Sequence, residues 1–406
     1  MIHDNDLQSC LKNLTEEISL PGKQADGSYT RLPCSAEYMH SAEILKNLMI
    51  KRGLDTTIDS VGNVKGYLPG KNPSFGTIYT GSHLDTVQNG GLFDGALGIA
   101  SALLCLDMLQ QNHISLQHNL EIIGFQGEEG SDLGGTFGSR SMMGLMSSVS
   151  PEYEAVLTSY GLSATKVKDA AISTFPGDCY LELHIEQGKV LESNHQDIGI
   201  VTGIVGITRY KITLHGESNH AGTTPMNLRR DALTAAAELI TYINESAAQR
   251  TDHLVATIGQ LSVFPGSVAV IPGKVEMVLE VRHMDQNVID TFVDEAIAYS
   301  QKMNTVSVDW QELVKKPSVH CSADIRKVLE QCCTEQHLSY QDIPSGAGHD
   351  GNAIGQRMPI GMLFVPSHNG LSHCKEEWTE WEDAQRGVDL LYEMLKKRMA
   401  KEETSC

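Results

Sequence analysis

The chain has 406 residues, more than one ordinary hydrophobic core organises, so two domains are expected. Hydrophobic residues make up 41% and charged residues 20%, which is typical of a soluble globular protein rather than a disordered one. No apolar run is long enough to span a bilayer, so no membrane association is expected. The net charge of -20 at pH 7 argues against a nucleic-acid partner, because such a chain repels phosphate backbones.

The cysteines and the start of the chain predict the compartment. There are nine cysteines, an odd number, and none forms a Cys-x-x-Cys motif. This pattern favours free thiols in a reducing compartment over a disulfide framework. Residues 1–10 include Asp4 and Asp6 and lack the apolar stretch of a secretory signal. A cytoplasmic location is therefore predicted.

The first half of the chain alternates short apolar runs with helical patterns, which is typical of an α/β fold. An apolar run at residues 77–80 predicts a strand that leads into His83. A helix is expected from about Gly95 to Gln111, with Asp94 as its N-cap. Further strands are predicted at residues 121–125, 179–188 and 358–365.

The stretch from about Ile207 to Val314 has a different pattern, with elements in the order β-α-β-β-α-β. That order is the split ferredoxin-like unit. We therefore predict a mixed-sheet α/β catalytic domain made of residues 1–206 and 318–406, with a ferredoxin-like α+β domain inserted at residues 207–317. The predicted elements of the insert are residues 208–214, 229–248, 254–263, 274–282, 287–302 and 306–313.

Four polar clusters each follow an apolar strand, at the place where a loop begins. In open α/β sheets ligands bind outside the carboxyl ends of the strands, so we expect the clusters to meet at one site. Imidazole nitrogens and carboxylate oxygens are ligands for Zn²⁺, and a carboxylate can bridge two ions. The clusters are His83-x-Asp85 with Asp94, Glu128-Glu129, His184, and His373.

Each cluster has a simpler explanation when it is taken alone. A single histidine at a strand end is more often a surface or core residue than a ligand, and an adjacent Glu-Glu pair is ordinarily solvated. Four such clusters at strand ends make the metal-site interpretation the stronger one. No Gly-x-Ser-x-Gly elbow or Gly-x-x-x-x-Gly-Lys loop occurs, so serine-hydrolase and nucleotide-binding functions have no support.

Six motifs in order extend these clusters along the chain. They are Gly-Ser-His-Leu-Asp-Thr-Val at 81–87, Gly-Glu-Glu-Gly-Ser at 127–131, His-Ile-Glu-Gln-Gly at 184–188, His-Ala-Gly-Thr-Thr-Pro-Met at 220–226, Ser-Gly-Ala-Gly-His-Asp at 345–350 and Gly-Leu-Ser-His at 370–373. With them the chain resembles the zinc aminoacylase and carboxypeptidase superfamily over nearly its whole length. It is most similar to the carbamoylase branch, which holds N-carbamoyl-L-amino-acid hydrolases, β-ureidopropionases and allantoate amidohydrolases. The His-Ile-Glu-Gln-Gly string distinguishes this branch from the peptidases, which use a carboxylate at that ligand position.

The resemblance implies a dinuclear metal site. His83, Asp94 and His184 would hold one divalent ion, and Asp94, Glu129 and His373 would hold the other, with Asp94 as the bridge. The two ions would be Zn²⁺, or Mn²⁺ or Co²⁺. Two-metal sites of this kind activate a water and polarise the carbonyl that it attacks.

The resemblance also implies the catalytic residues. The carboxylate of Asp85 would orient the His83 ring through its other nitrogen. Glu128 would be the general base that takes a proton from the attacking water and returns it to the leaving nitrogen. His220, in the inserted domain, would reach the active site of a partner subunit and stabilise the oxyanion there, which implies a homodimer.

Five residues would contact the substrate: Gln187, His220, Arg282, His349 and Gly370. The planar guanidinium of Arg282 suits a substrate carboxylate. The chain departs from the usual pattern of the branch at residue 269, where alanine stands in place of an asparagine that helps to hold the substrate. A second departure is Cys374-Lys375 after His373, where Asn-Pro is common.

The predicted activity is metal-dependent hydrolysis of the C–N bond of a carboxylate-bearing ureido substrate. An N-carbamoyl-L-amino acid, giving the amino acid, CO₂ and ammonia, is the first expectation. Allantoate is the alternative, because it has the same chemical groups and because residues 216–220 look like those of allantoate enzymes. An N-acyl-amino-acid deacylase is a third hypothesis. A metal-binding protein without catalysis is a fourth, and the presence of Glu128 argues against it.

Overall fold

The computed structural model describes residues 4–146, 148–172 and 177–399 of the chain. The start of the chain, where no secretory leader is expected, lies partly outside these residues. One compact unit is formed by Met1–Ile204 and His320–Cys406, and a second by Val205–Val319. Within the described ranges, no helix has both the length and the apolar character needed to cross a membrane. The eight cysteines found there are free thiols, as the sequence predicts.

Helices and strands alternate along most of the chain. In chain order they are α1 (Asp4–Ser19), α2 (Ala36–Lys51), β1 (Asp55–Ile58), β2 (Val64–Leu68), β3 (Thr77–His83), α3 (Ala96–Gln111), β4 (Asn119–Phe125), α4 (Phe137–Met142), α5 (Pro151–Ser159), α6 (Ala164–Asp169), β5 (Gly177–Ile185), α7 (Val190–Asn194), β6 (Ile198–Ile204), β7 (Gly206–His215), α8 (Ala232–Ala248), β8 (Val255–Phe264), β9 (Lys274–His283), α9 (Gln286–Ser300), β10 (Ser307–Lys316), β11 (Val319–His320), α10 (Ala323–Glu335), β12 (Tyr340–Ser345), α11 (Gly351–Ile354), β13 (Ile360–Val365) and α12 (Trp381–Met399).

The larger unit is built on a mixed sheet with the strand order β1-β2-β4-β3-β5-β13-β6-β11, and β12 pairs with β6. The four central strands, β4, β3, β5 and β13, are parallel to one another. At one side, β2 pairs antiparallel with β4 and with β1. Because parallel strands run in one direction, the carboxyl ends of the central four lie along the same edge of the sheet. The predicted mixed-sheet α/β fold is confirmed.

The central strands are buried on both faces. All residues of β3 and of β13 are buried, which explains why they read as continuous apolar or small runs rather than as alternating patterns. The helix α3 packs against β3 and also contacts α1 and α12. It is therefore buried throughout residues 96–106.

The N-terminus of α3 corrects one prediction. The helix begins at Ala96, its N-cap residue is Gly95, and no side chain caps it. Gly95 has a φ of +68°, and a Cβ there would come within 2.3 Å of the carbonyl oxygen of His83, so the turn requires glycine. The predicted cap by Asp94 is wrong, because its carboxylate faces histidine side chains instead.

The smaller unit is an antiparallel four-stranded sheet with the order β10-β7-β9-β8. This is the ferredoxin-like arrangement that the element order predicts. Alternate residues of β9 between Val275 and Val281 are buried, and they form one core with α8 and α9. The helix α8 begins at Ala232, later than the predicted residue 229, because Asp231 accepts two N–H groups of its first turn.

Candidate metal centre

The five predicted metal ligands lie at strand ends and on the loops that follow them. His83 is the last residue of β3, and His184 is the last but one of β5. Glu129 lies in the loop after β4, Asp94 directly precedes Gly95 at the start of α3, and His373 lies between β13 and α12. Because β4, β3 and β5 are adjacent and parallel, their carboxyl ends bring these side chains to one edge of the sheet.

The five side chains form two groups of possible metal ligands that share Asp94. Within each group, His83–Asp94–His184 and Asp94–Glu129–His373, the candidate ligand atoms all lie within 4.8 Å of one another. Oδ1 of Asp94 is 3.3 Å from Nε2 of His83 and 3.2 Å from Nε2 of His184. Oδ2 of Asp94 is 3.2 Å from Nε2 of His373, which is 3.4 Å from Oε1 of Glu129. The Asp94 carboxylate thus has one oxygen in each group.

Three of these atoms are buried without a hydrogen bond of good geometry: Oδ1 of Asp94, Oε1 of Glu129 and Nε2 of His184. Buried polar atoms are nearly always paired, so a cluster of unpaired ones indicates that a ligand belongs there. Imidazole nitrogens and carboxylate oxygens are donors that Zn²⁺ and similar ions accept. The residues present therefore fit a divalent metal centre.

The other ring nitrogen of each buried histidine is held by a backbone carbonyl. Nδ1 of His83 lies 3.0 Å from the carbonyl oxygen of Asp85, and Nδ1 of His184 lies 2.9 Å from that of Ile185. A carbonyl only accepts, so each Nδ1 carries the proton and each Nε2 keeps its lone pair for a metal.

Asp85 acts on the site through other atoms than predicted. Its carbonyl oxygen, and not its carboxylate, contacts the His83 ring. The buried carboxylate instead accepts the backbone N–H groups of Gly127, Glu128 and Glu129, at 2.8, 3.1 and 3.2 Å. The prediction of a carboxylate–imidazole pair is wrong, because this carboxylate satisfies three donors of the turn after β4. Asp85 thereby holds the turn that presents both glutamates.

Glu128, the predicted general base, lies beside the metal ligands. Its carboxylate is within 4.8 Å of candidate ligand atoms of His83 and Glu129. Burial raises the pKa of Glu128 well above its usual range, and the negative charge of Glu129 adds to this effect. A carboxylate with a raised pKa is a better proton acceptor when it is ionised, which suits general base work near neutral pH.

The pKa values of the ligand groups depend on one another. Burial and the charge of Asp94 raise the pKa of Glu129 to about 7. The hydrogen bond to Asp94 raises the pKa of His373 to about 9. Burial alone would raise the pKa of Asp94. The hydrogen bonds from the three imidazoles, of which that from His184 has the largest effect, outweigh burial and hold this pKa well below its usual range. Protons and metal ions therefore compete for the same atoms, so metal binding should weaken at low pH.

Three predicted substrate residues of the larger unit lie at or near this centre. Nε2 of Gln187 donates to Oδ2 of Asp94 at 2.9 Å, so its amide contacts a metal ligand. The His349 ring is buried beside His184, with ring centroids 4.6 Å apart, and its Nε2 lies 2.8 Å from the Ser345 hydroxyl. Gly370 has a φ of +68° and packs so closely on Lys189 that a Cβ would come within 2.9 Å of that side chain. Their contacts with a substrate stay predictions.

The two remaining predicted residues lie in the smaller unit. Nδ1 of His220 accepts the N–H groups of Gly222 and Thr223 at 3.0 and 3.2 Å, and the side chain is exposed. Arg282 forms an ion pair with Glu280 in which the Nη2–Oε1 distance is 2.6 Å. Their roles toward a substrate also stay predictions.

Glu377 is a residue of the centre that the sequence analysis missed. Its carboxylate is buried and accepts the N–H groups of Phe93 and Asp94 at 2.9 and 3.1 Å and the Ser372 hydroxyl at 2.8 Å. The available signal was another adjacent Glu-Glu pair, at residues 376 and 377, shortly after His373. Taken alone, such a pair is indistinguishable from a solvated one.

Comparison with known proteins agrees with this geometry. The model of peptidase family M20/M25/M40 matches residues 79–397. The N-carbamoyl-L-amino acid amidohydrolase of Geobacillus stearothermophilus is 37% identical over 389 residues, which cover 93% of this chain and 95% of that protein. The allantoate amidohydrolase of Bacillus subtilis (strain 168) is 35% identical over 404 residues, covering 96% of this chain and 98% of that protein. A crystal structure of an amidase of the hydantoinase/carbamoylase family from Burkholderia multivorans matches with a TM-score of 0.88 and 28% identity, over 97% of this chain and 98% of that one.

These matches confirm the predicted resemblance to the carbamoylase branch. Enzymes of the matched family bind divalent metal ions, which agrees with the ligand cluster described above. The chain belongs to peptidase family M20/M25/M40 and, as its sequence predicts, is a hydrolase that acts on amide C–N bonds.

Proposed function

We propose that the chain hydrolyses the C–N bond of a carboxylate-bearing ureido compound with two divalent metal ions per subunit, and that an N-carbamoyl-L-amino acid is its substrate. The observation that carries the proposal is the pair of ligand groups that share the buried carboxylate of Asp94. A carboxylate with one oxygen in each group is the arrangement that a dinuclear site needs. The N-carbamoyl-L-amino acid amidohydrolase from Geobacillus, 37% identical to this chain, supports the substrate class.

The chemistry is shared between the metals and Glu128. Bound ions would lower the pKa of a water molecule and polarise the carbonyl oxygen of the substrate. Glu128 would accept the proton of the attacking water and pass it to the leaving nitrogen, so that ammonia departs as a neutral molecule. The hydrogen bonds that the turn at residues 127–129 donates to the Asp85 carboxylate would keep the Glu128 carboxylate in position.

Arg282 is proposed to bind the substrate carboxylate. It shares Glu280 with Arg209, whose Nε lies 2.6 Å from Oε2 of the same carboxylate. Two guanidinium groups therefore lie against one carboxylate in this part of the smaller unit. In a protein with a net charge of -20, such local cations are needed to attract an anionic substrate.

His220 is proposed to donate a hydrogen bond to the oxyanion of the tetrahedral intermediate. Its Nδ1 accepts two backbone N–H groups, so the neutral ring carries its proton on Nε2. The exposed Nε2–H is then available as a donor without the ring being charged. These N–H groups belong to the turn at residues 221–224, and the Thr224 hydroxyl donates to the His220 carbonyl oxygen, so His220 has a local structural role as well.

A homodimer is part of this proposal, because the resemblance implies that His220 acts in the active site of the other subunit. The smaller unit offers β8 and β10 as the two edge strands of its sheet, and both expose much of their surface. Exposed edge strands are commonly covered by an identical copy of the chain.

Allantoate is the second candidate substrate. The Bacillus subtilis allantoate amidohydrolase is 35% identical to this chain, nearly as similar as the carbamoyl-amino-acid enzyme. Allantoate offers the same ureido and carboxylate groups, so the metal centre and Arg282 would serve either compound. The choice depends on side chains around the rest of the substrate.

A substrate panel tests the proposal. Purified protein is stripped of metal, reloaded with Mn²⁺, Co²⁺ or Zn²⁺, and offered N-carbamoyl-L-amino acids, allantoate and N-acetyl-L-amino acids. Ammonia release from the carbamoyl compounds, absent before reloading, is the expected result. Ammonia from allantoate alone would favour the second candidate, and acetate without ammonia would indicate a deacylase. No turnover of any compound by metal-loaded protein would overturn the proposed function.

A further inference from the structure

We propose that Glu377 is a positioning residue that joins the segment carrying Asp94 to the segment carrying His373, and thereby sets the second metal position. The inference rests on the proposed dinuclear site, since it concerns the ligands Asp94, Glu129 and His373. The two segments are far apart along the chain, since Glu377 is 284 residues from Phe93.

The hydrogen bonds of Glu377 divide between the two segments. Oε1 accepts the N–H of Phe93 at 2.9 Å and that of Asp94 at 3.1 Å. Oε2 accepts the hydroxyl of Ser372 at 2.8 Å. The same hydroxyl lies 3.4 Å from Oδ2 of Asp94, and Ser372 directly precedes His373. One buried carboxylate thus holds the main chain of one ligand and the neighbour of another.

Packing around Glu377 supports the same link. A Cβ at Gly91 would lie 2.4 Å from Cβ of Glu377, so only glycine lets the segment before Asp94 approach this closely. The ring of Phe93 is 5.3 Å from that of Trp378 and 4.9 Å from that of Trp381, between ring centroids. Apolar contacts on one side and hydrogen bonds on the other therefore join the two segments.

This link affects the second metal position more than the first. His83 and His184 are fixed by their own strands and by carbonyl contacts to Nδ1, so the first group keeps two ligands without Glu377. In the second group, Asp94 and His373 both lie on loops, and the His373 side chain is 49% exposed. Without Glu377 the side-chain contacts of Gln187 with Asp94 and Ser372 would remain, but the main chain of Asp94 would lose its buried acceptor and the two loops would be held less firmly.

The test compares the binding of Mn²⁺ alone to four proteins. They are the wild type, Glu377→Ala, Glu377→Gln and Ser372→Ala, each studied by equilibrium dialysis and by electron paramagnetic resonance, which distinguishes a coupled pair of Mn²⁺ ions from single ions. Asp231→Ala is the matched control, because Asp231 also accepts two backbone N–H groups but does so in the smaller unit, at the start of α8.

We expect the wild type to bind two Mn²⁺ ions with a coupled spectrum. Glu377→Ala should keep the first ion and bind the second about 10–100-fold more weakly, the usual cost of removing a residue that orients a ligand. Ser372→Ala should weaken the second ion less. Glu377→Gln should stay near the wild type, because its amide oxygen still accepts both N–H groups. Asp231→Ala should bind both ions normally.

The possible failures are distinct. A wild type that binds fewer than two ions would contradict the proposed function itself. If the wild type binds two ions and Glu377→Ala also binds both with normal affinity, the positioning role is wrong. It is equally wrong if Glu377→Gln loses the second ion as fully as Glu377→Ala, since charge rather than hydrogen bonding would then matter. If Glu377→Ala does not fold, Ser372→Ala still tests the role, because normal binding of the second ion by that variant would contradict it.

Discussion

Replacement of Asp350 by asparagine should stabilise the metal-free protein increasingly as the pH rises. Asp350 is fully buried, and neither oxygen of its carboxylate has a hydrogen-bond partner of normal geometry among the described residues. Burial raises the pKa of this carboxyl from 3.8 to about 8, and the negative charge of nearby Glu182 adds to this. The charge of His83 and then the Ser139 hydroxyl offset only part of the rise. The folded protein therefore holds a proton here that the unfolded chain loses well below neutral pH.

The sign of the effect follows from linkage. A carboxyl with a raised pKa contributes stability that is fully present below its unfolded pKa and is lost as the pH rises through its folded pKa. Between pH 5 and pH 7 the wild type should lose this contribution at 1.36 kcal/mol per pH unit, whereas Asp350→Asn has nothing to titrate. Over those two units the variant should gain about 3 kcal/mol on the wild type in its free energy of unfolding.

Urea unfolding of chelated protein measures this difference. The three tryptophans are Trp310, Trp378 and Trp381. A Trp310→Phe background leaves only the two in the larger unit, so their fluorescence reports the unit that contains Asp350. Both proteins are unfolded at several pH values between 5 and 8. A difference that stays constant across this range would show that Asp350 does not take up a proton on folding, and the reasoning from burial would be refuted.

Three further predictions concern the proposed mechanism. Glu128→Gln should keep both metal ions and lose at least ~10²-fold in turnover, and near-normal turnover with metal content confirmed would remove Glu128 from the mechanism. Asp85→Ala should lower the free energy of unfolding by about 3 kcal/mol or more and reduce turnover, because three buried N–H groups lose their acceptor. Unchanged urea stability would contradict that account of Asp85. His220→Ala mixed with Glu128→Gln should regain about a quarter of wild-type activity once subunits have exchanged, since half of the dimers are then mixed and each has one intact site. No recovery after verified exchange would show that His220 does not act on the other subunit.

Local patterns in the sequence predict the central strands, the types of the ligand residues and the fold of the smaller unit. Apolar runs followed by polar residues locate β3, β4 and β13, because a strand buried on both faces needs continuous apolar side chains. The strand β5 is located by its alternating pattern. The histidines and carboxylates that follow the runs supply the ligand types, and the β-α-β-β-α-β order identifies the smaller unit. These features depend on neighbours along the chain, so they can be read from it.

The arrangement of the centre depends on contacts between distant residues, and those only the tertiary structure decides. The local sequence makes Asp94 look like a helix cap, and the resemblance adds the expectation that it bridges two ions. The folded chain instead directs its two oxygens at different ligand groups, since parallel β3 and β5 bring His83 and His184 to the same side. The sequence pairs the Asp85 carboxylate with His83, whereas folding gives that carboxylate three N–H groups from a turn more than 40 residues away. Glu377 is not recognisable in the sequence, because its function comes from burial against a segment 284 residues away. Residue types and strand positions are local properties, whereas the partner that each polar atom finds is set by which segments the sheet brings together.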